Sequence, residues 1–482
     1  MSATKHLTLI QQNDTHAQME LHSELFWKNG QAVYRNCGGF ARVATLVREI
    51  RTATKGGSLF IDCGDAIHGT AVAQWTEGGA VVPPLNALGI DAMTPGNWEF
   101  GFGPEVLRKR VSEMNFRVLA CNVERADTAE LEFPPTAVRE VNGTRVGLIG
   151  LTSPTVTERM PKRFGLGLRF SDGLDTLPQH IHQLRHKEKS DVIVLISHLG
   201  LAQDMELVHK VEDVDVVLSG HTHDRLFSPV IIGKTLLIQS GFSGSFLGRL
   251  DLEIADGHVR CCSHELIEVS ERTFADSAVE NVIAEQLKPH RERMGEIVGR
   301  TRTPLHRMTV FESPMDNFIT DAYKDLTGTD VSFSHGWRYG APVQPGPITE
   351  GDLWQMVPTN PELFNAEMTG EQIRQTLEDS LNSVYAGDAL RQKGGYPTRF
   401  SGMSAVVRIN NPKGARVAEL SIAGAPYKPE RRYTVTAAGE QDIKHAENKR
   451  PLGKHSIEAL RVYLKRYSPI EPVITHEKLV AI

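Results

Sequence analysis

The sequence has little surplus positive charge, no long apolar run and no export signal. Its formal net charge is -6 over 482 residues, which argues against a nucleic-acid-binding or anionic-membrane-binding protein, since both need a basic face. No stretch is long enough to cross a membrane, and no apolar signal-peptide core precedes the first strand-like run, HLTLIQ. We therefore expect a cytoplasmic protein without a nucleic-acid or membrane partner. A leader removed earlier would leave the same pattern in a periplasmic protein.

The cysteine pattern is equally sparse. The chain has five cysteines, an odd number, and they form no CxxC motif; they are Cys37, Cys63, Cys121, Cys261 and Cys262. This count and spacing favour buried free thiols in a reducing compartment over a disulfide framework.

The chain is longer than one compact core usually spans, so two domains are expected. In the first half, apolar runs such as SLFIDCGD and DVIVLISHLG alternate with helix-like stretches such as GGFARVATLVREIR, a pattern typical of a layered α/β fold. We predict a first domain over residues 1–275, a helical connection over 276–300 containing Pro289, and a second domain over 301–482. The second domain opens with a helix signal at Ser313-Pro314 that ends at Gly328.

Five short segments of the first half place metal-ligand residue types where an apolar run meets a loop. The segments are NDTH, CGDAIHG, GNWEF, ISHLG and SGHTH, and they contain Asp14, His16, Asp65, Asn97, His198, His221 and His223. Each is weak alone, but strand ends converge on one edge of a sheet, so together they predict a single site. The mixture of carboxylate, imidazole and amide oxygen suits Zn²⁺, Mn²⁺ or Fe²⁺.

Two ions, rather than one, fit this set of ligands. One carboxylate can bridge two ions about 3.5–4 Å apart, the spacing of two-metal hydrolysis. Such ions would offset the negative charge of a small phosphorylated substrate, which this acidic chain otherwise has few means to do. They would also acidify a water enough to supply hydroxide near neutral pH.

With these motifs the sequence resembles the calcineurin-type metallophosphoesterases, and among them the two-domain 5′-nucleotidase family. The second half adds ESPMDNFITDA, SHGWRYG, GPITEGDLWQMVP and EMTGEQIRQTLEDS. The resemblance implies a four-layer α/β-β/α sandwich followed by an α+β domain that sets substrate specificity. It also implies two metal sites that share Asp65 as a bridge. Their implied ligands are Asp14, His16, Asp65 and His223 for one ion, and Asp65, Asn97, His198 and His221 for the other.

One motif departs from that family. The nucleotidase pattern G-N-H-E/D, often followed by F-D, supplies a histidine–aspartate pair that supports phosphate transfer, but here Trp98 and Gly101 occupy those positions. An indole N–H is only a donor, so Trp98 can contact a substrate but cannot shuttle a proton. Substrates with good leaving groups, such as phosphoanhydrides or thiolates, would be least affected. His68 and His335 are candidate replacement acids.

The tryptophan is similar to that of the sulfur-oxidation thiosulfohydrolases, which share the two-domain fold and carry G-H-W-E-F at this point. Those enzymes use two manganese ions to release sulfate from a sulfur chain carried on a partner protein. The segments GWRYG and GGYPTRFSGM are also similar to this subfamily. Asn97, in contrast, is of the phosphoesterase type, so the chain combines features of both groups.

The second domain offers candidate substrate contacts in glycine-flanked loops. A guanidinium group binds phosphate or sulfonate oxygens in bidentate fashion, and Arg338 and Arg399 lie in such loops. The nucleotidases stack the base between two aromatic rings, for which the candidates are Trp337, Tyr339, Tyr396 and Phe400.

Three functions stay open at this point. The sequence favours a dinuclear-metal hydrolase of a phosphate ester or anhydride of a small metabolite or nucleotide, with catalytic candidates Asp65, Asn97, Trp98 and His68. The first alternative is thiosulfohydrolase-like hydrolysis of a sulfur-linked sulfate group. The second is a catalytically weakened protein that only binds metal and ligand. The sequence leaves the oligomeric state open.

Overall fold

The structure is a computed structural model that describes residues 4–482. The chain divides into two compact units. The first comprises the residues up to Glu24 together with Arg35–Pro289, and the second comprises Leu25–Tyr34 and His290–Ile482. The division after Pro289 falls within the predicted connection 276–300, whereas the assignment of Leu25–Tyr34 to the second unit has no counterpart in the sequence prediction.

Two six-stranded sheets form the core of the first unit. In order across the first sheet, the strands are His258–Glu268, Phe246–Ala255, Lys5–Gln12, Ser58–Asp62, Ala92–Met93 and Arg117–Val118. Across the second sheet, they are Val230–Ile232, Thr235–Ile238, Val216–Ser219, Val192–Ser197, Thr144–Leu151 and Thr136–Val141. Leu9 and Ile61 of the first sheet share one buried cluster with Leu148 and Val194 of the second. The two sheets therefore pack face to face.

Helices cover the outer faces of these sheets. Leu177, Ile181 and Leu207 lie on helices and pack with Ile193 and Leu195 on the outer face of the second sheet. The helices of this unit are Phe40–Ala53, Ala71–Trp75, Val82–Ala87, Pro104–Glu113, Thr155–Arg159, Leu177–His182, Leu201–Lys210 and Ser277–Leu287. Strands buried on both faces have the continuous apolar sequences that predicted a layered α/β fold, and the four-layer arrangement is confirmed.

Shorter elements complete the first unit. Two 3₁₀ turns and one π-helical turn are Glu99–Phe102, Lys162–Gly165 and Gln183–Lys187. One small sheet pairs Val123–Arg125 with Leu168–Phe170. A hairpin pairs His22–Lys28 with Gln31–Cys37; its two ends belong to the first unit and its middle, Leu25–Tyr34, belongs to the second.

The second unit is an α+β fold, as predicted. Its five-stranded sheet runs Arg399–Ser401, Val331–Ser334, Arg432–Ala438, Glu362–Thr369 and Glu447–His455. Its smaller sheets run Ala425–Pro426, Val417–Ile422, Met403–Val407 and Leu479–Ala481, and Ile297–Thr301 with Gly346–Thr349. Its helices are Arg291–Met294, Pro314–Thr327, Glu350–Met356, Gly370–Val384 and Ser456–Tyr467, and its short 3₁₀ turns include Ala389–Arg391 and Gln441–Ile443.

The helix Pro314–Thr327 has the predicted ends. The Ser313 hydroxyl accepts a hydrogen bond from the Asp316 N–H, Pro314 occupies the first turn, and Gly328 has a left-handed conformation with φ of 67°. Each feature satisfies or terminates the helical hydrogen-bond pattern.

The predicted connection is only partly helical. The helix Ser277–Leu287 is followed by a 3₁₀ turn over Lys288–His290, and Ile297–Thr301 forms a strand rather than a continuation of the helix. Pro289 interrupts the helical hydrogen bonds, as its missing N–H requires.

The five thiols are all unpaired, but only Cys37, Cys63 and Cys121 are buried, whereas Cys261 is exposed. Over residues 4–482, no helix combines the length and apolarity that a membrane crossing needs.

Candidate metal centre

The seven predicted metal ligands follow five strand ends of the first unit. Asp14 and His16 follow Lys5–Gln12, Asp65 follows Ser58–Asp62, and Asn97 follows Ala92–Met93; His198 follows Val192–Ser197, and His221 and His223 follow Val216–Ser219. Five of the seven, Asp14, His16, Asp65, His221 and His223, have φ between 47° and 71°. Left-handed non-glycine residues are uncommon and cluster at functional sites, because the surrounding structure must hold them there.

Asp14, His16 and His223 form the first triad, with ligand atoms within 4.8 Å of one another. The Asp14 Oδ1 atom lies 3.2 Å from His223 Nε2 and 4.0 Å from His16 Nε2. The two imidazole Nε2 atoms are 3.2 Å apart. This is the donor set and spacing that a divalent transition-metal ion requires.

Asp65, His198 and His221 form the second triad. The Asp65 Oδ2 atom lies 3.2 Å from His198 Nε2. Gly96, which precedes the predicted ligand Asn97, packs so closely on this triad that an added Cβ would lie 2.2 Å from Asp65 Oδ1 and 2.6 Å from His198 Cε1. A glycine is therefore required there, and it brings the chain of Asn97 against the second triad.

The two triads are neighbours. The Asp14 Oδ1 atom of the first lies 3.8 Å from His198 Nε2 of the second. Within residues 4–482, Asp14 Oδ1, Asn97 Oδ1 and His198 Nε2 are buried without a hydrogen-bond partner. Since unpaired buried polar atoms are costly unless a ligand satisfies them, the residues present fit two closely spaced cations.

The electrostatics of the pocket favour cations. Burial opposes charge on His198, but Asp65 and Asp14 outweigh it and raise the pKa of His198 to about 10. Burial also opposes charge on Asp14, but His223 and His198 outweigh it and hold the pKa of Asp14 well below its usual range. Burial lowers the pKa of His16 to about 3. At neutral pH the metal-free His198 is therefore protonated and His16 is neutral, so a bound cation would replace the His198 proton beside the two carboxylates.

Backbone groups fix the orientation of the imidazoles. The His198 Nδ1–H donates to the Cys63 carbonyl at 2.5 Å, and the His16 Nδ1–H donates to the His68 carbonyl at 3.3 Å. In both rings the Nε2 atom is then left to face the triads. The His223 ring stacks on Phe242, with centroids 4.9 Å apart.

Glu99 is a site residue that sequence reasoning missed, although its GNWEF motif was recognised. The buried Glu99 carboxylate accepts hydrogen bonds from the N–H groups of Asp65, Ala66 and Gly96 at 2.6–2.8 Å, and from Ile67 at 3.3 Å. It therefore ties the Asp65 loop to the Asn97 loop. Met160 is a second missed residue: its Sδ atom accepts from Asn97 Nδ2 at 3.7 Å, which orients the amide.

Trp98 and His68 are stacked, with ring centroids 4.3 Å apart and planes 20° apart. The backbone N–H of Trp98 donates to Asp65 Oδ1 at 2.7 Å, which ties the Trp98 backbone to the second triad. Burial lowers the pKa of His68 to about 3. The structure thus brings both catalytic candidates to the metal ligands.

Two substrate candidates of the second unit are placed differently from the prediction. Arg399 is 3% exposed; its Nη atoms donate to the carbonyls of Val310 and Thr309, and its Nε lies 3.1 Å from Asp316 Oδ2. Phe400 is a core residue of the five-stranded sheet. The prediction of substrate contact is corrected for both residues. Their side chains contact other residues of the second unit, because Arg399–Ser401 is a fully buried strand rather than a loop.

The remaining candidates lie around the loop that follows Val331–Ser334. Trp337 and Tyr339 are buried, whereas His335, Arg338 and Tyr396 are half-buried. The buried Arg307 donates to the carbonyls of Tyr339 and Met356 and lies beneath the Trp337 ring, 5.6 Å from its centroid. Arg307 therefore holds this loop in place; it was not predicted, since no local motif distinguishes a buried arginine.

Comparison with known proteins agrees with this geometry. The calcineurin-like phosphoesterase model matches residues 7–225, and the 5′-nucleotidase C-terminal domain model matches residues 295–439. The trifunctional nucleotide phosphoesterase YfkN of Bacillus subtilis is 26% identical over 86% of this chain, which spans only 30% of that longer protein.

Two solved structures from Thermus thermophilus match nearly the whole chain. The sulfate thiohydrolase SoxB, in complex with glycerol, has a TM-score of 0.91 and 25% identity, covering 99% of this chain and 96% of that one. A 5′-nucleotidase precursor has a TM-score of 0.87 and 26% identity, covering 99% of both chains.

Fold and site together define a two-unit hydrolase with a metallophosphoesterase unit ahead of a 5′-nucleotidase-type unit. The chain belongs to the two-domain 5′-nucleotidase family, whose N-terminal domain is calcineurin-like and whose members are hydrolases of phosphoric esters.

Proposed function

We propose that the protein hydrolyses a phosphoric ester or anhydride of a small metabolite or nucleotide with two divalent ions, Mn²⁺, Zn²⁺ or Fe²⁺. The observation that carries this proposal is the pair of adjacent triads, 3.8 Å apart between Asp14 Oδ1 and His198 Nε2. Asp14, His16 and His223 would hold one ion, and Asn97, His198 and His221 the other, with Asp65 shared. Ions bound there supply Lewis-acid charge and activate water for attack on phosphorus.

The protein groups around the triads have identifiable tasks. The carbonyls of Cys63 and His68 hold the imidazoles of His198 and His16 in one tautomer. Glu99 keeps the Asp65 and Asn97 loops together. In the second unit we propose His335, Arg338 and Tyr396 as the candidate contacts for the anionic substrate, since they are half-buried on loops near Arg307.

A second candidate function is hydrolysis of a sulfur-linked sulfate group. Two observations favour it: Trp98 occupies the position beside Asn97, and the structure is similar to a sulfate thiohydrolase with a TM-score of 0.91. A thiolate is a good leaving group and needs little help from a general acid. The presence of Asn97 and the C-terminal domain match favour the phosphoric-ester function.

One screen separates these functions. Purified protein loaded with each metal would be tested for phosphate release from nucleotides, sugar phosphates and anhydrides, and for sulfate release from an S-sulfonated cysteine peptide. We expect phosphate release. Sulfate release alone would replace the first proposal with the second, and a metal-loaded protein that releases neither would indicate a binding protein.

Trp98 leads to a prediction about the leaving group. Because the indole cannot deliver a proton, turnover of aryl phosphates should fall steeply as the leaving-group pKa rises. General acid help is typically worth about 10²–10⁴-fold, so adenosine monophosphate should react at least roughly 10²-fold more slowly than 4-nitrophenyl phosphate. The measurement is kcat across a series of aryl phosphates. A flat dependence, with adenosine monophosphate as fast as the activated ester, would show that His68, His335 or Arg338 supplies the proton.

A further inference from the structure

The ring of His68 fills the space over Gly101. A Cβ atom added to Gly101 would lie 2.9 Å from His68 Cδ2 and 3.3 Å from His68 Nε2. The backbone of Gly101 is not left-handed, so this contact, rather than the conformation of the chain, is what excludes a larger residue. Any side chain at position 101 therefore requires His68 to move.

His68 cannot move easily, because it is packed on several sides. It is 1% exposed, stacks on Trp98 with centroids 4.3 Å apart, and lies against Phe102 with centroids 5.2 Å apart. Its own carbonyl accepts the hydrogen bond from His16. Since packed interiors have few alternative rotamers, a displaced His68 would also displace the Trp98 indole.

Trp98 in turn is tied to the second triad. Its backbone N–H donates to Asp65 Oδ1 at 2.7 Å, and the Phe164 ring meets the indole edge-on at 6.3 Å. The indole therefore extends from a backbone that is anchored to a metal ligand, and its stacking on His68 fixes the position of the ring. His68 Nδ1, on the ring edge opposite Cδ2, is buried without a hydrogen-bond partner among the described residues, so packing rather than hydrogen bonding holds this ring.

We propose that His68, Trp98 and Gly101 form one interlocked set that determines which leaving group the hydrolase accepts, with His68 as a positioning residue that acts through Trp98. The inference rests on the proposed function. It follows that the histidine–aspartate pair typical of nucleotidases cannot be rebuilt here by changing positions 98 and 101 alone. The aspartate at 101 would collide with His68, and all three positions must change together.

The first test measures packing and needs no substrate. Gly101→Ala should lower the melting temperature by roughly 2–8 °C in the native background, as overpacking does, but by little in a His68→Ala background. Gly387→Ala is the matched control, because an added Cβ there meets nothing within 4 Å. Equal losses from Gly101→Ala in both backgrounds would show that the two residues are not coupled and would overturn the proposal.

The second test measures specificity in Mn²⁺-loaded protein with retained metal content. We expect the ratio of kcat for adenosine monophosphate to kcat for 4-nitrophenyl phosphate to rise at least about tenfold from W98H/G101D to H68A/W98H/G101D. If W98H/G101D and H68A/W98H/G101D show the same kcat ratio while both still hydrolyse 4-nitrophenyl phosphate, the three residues are not interlocked and the proposal is overturned. If the native protein does not hydrolyse 4-nitrophenyl phosphate, the proposed function itself is contradicted.

Discussion

The Asp65→Asn variant is expected to lose turnover by about 10³-fold or more, the largest effect of any single substitution in the site. Asp65 lies 3.2 Å from His198 Nε2 and accepts a hydrogen bond from the backbone N–H of Trp98, and in the proposed function both ions share its carboxylate. Asparagine keeps the size and an oxygen acceptor, and it tolerates the left-handed φ of 58° at this position. What it loses is the negative charge.

The loss should therefore appear as reduced metal content in a folded protein. Elemental analysis and the melting temperature would be measured beside kcat, with Asp127→Asn as control, since Asp127 is exposed. Retention of two ions and turnover within tenfold of the native protein would refute the bridging role of Asp65.

The Glu99→Gln variant should show the second-largest effect, on stability as well as on metal affinity. Each Glu99 oxygen accepts two backbone N–H groups: Oε1 from Ala66 and Ile67, and Oε2 from Asp65 and Gly96. Glutamine turns one of these acceptors into a donor, so two buried N–H groups lose their partner. At about 1–3 kcal/mol for each unsatisfied group, the free energy of unfolding should fall by about 2–6 kcal/mol.

The same substitution loosens the loops that carry Asp65 and Asn97. Partners of metal ligands typically contribute about 10–100-fold to metal affinity, so the second triad should weaken by that factor. Denaturant unfolding and metal titration measure the two effects. Glu105→Gln, an exposed residue in the first turn of Pro104–Glu113, is the control. A Gln variant as stable and as well metallated as the native protein would show that Glu99 does not hold the loops.

The fold and the metal residues were accessible from sequence because local patterns determine them. Apolar runs such as Val192–Ser197 are buried on both faces, and strand ends bring their polar residues to one edge, so the sequence alone was enough to place His198 beside Asp65. Helix ends such as Ser313 and Gly328 have equally local chemistry.

The substrate side was less accessible, because packing rather than spacing determines it. Arg399 looked like a loop arginine beside glycines, yet Asp316, distant in sequence, holds it in the interior. Phe400, the next residue of the same strand, packs in the hydrophobic core of the unit. The contact of His68 with Gly101 depends on two loops meeting, and neither loop carries a pattern that reveals the other.

The proposed hydrolysis depends on two metal ions held by the adjacent triads. Its most direct test is to remove metal with a chelator, restore Mn²⁺, Zn²⁺ or Fe²⁺ stepwise, and measure bound ions by elemental analysis beside 4-nitrophenyl phosphate hydrolysis. The account predicts negligible activity in the metal-free protein and full activity only as the second equivalent binds. Full activity with one ion bound, or activity that survives complete metal removal, would contradict it.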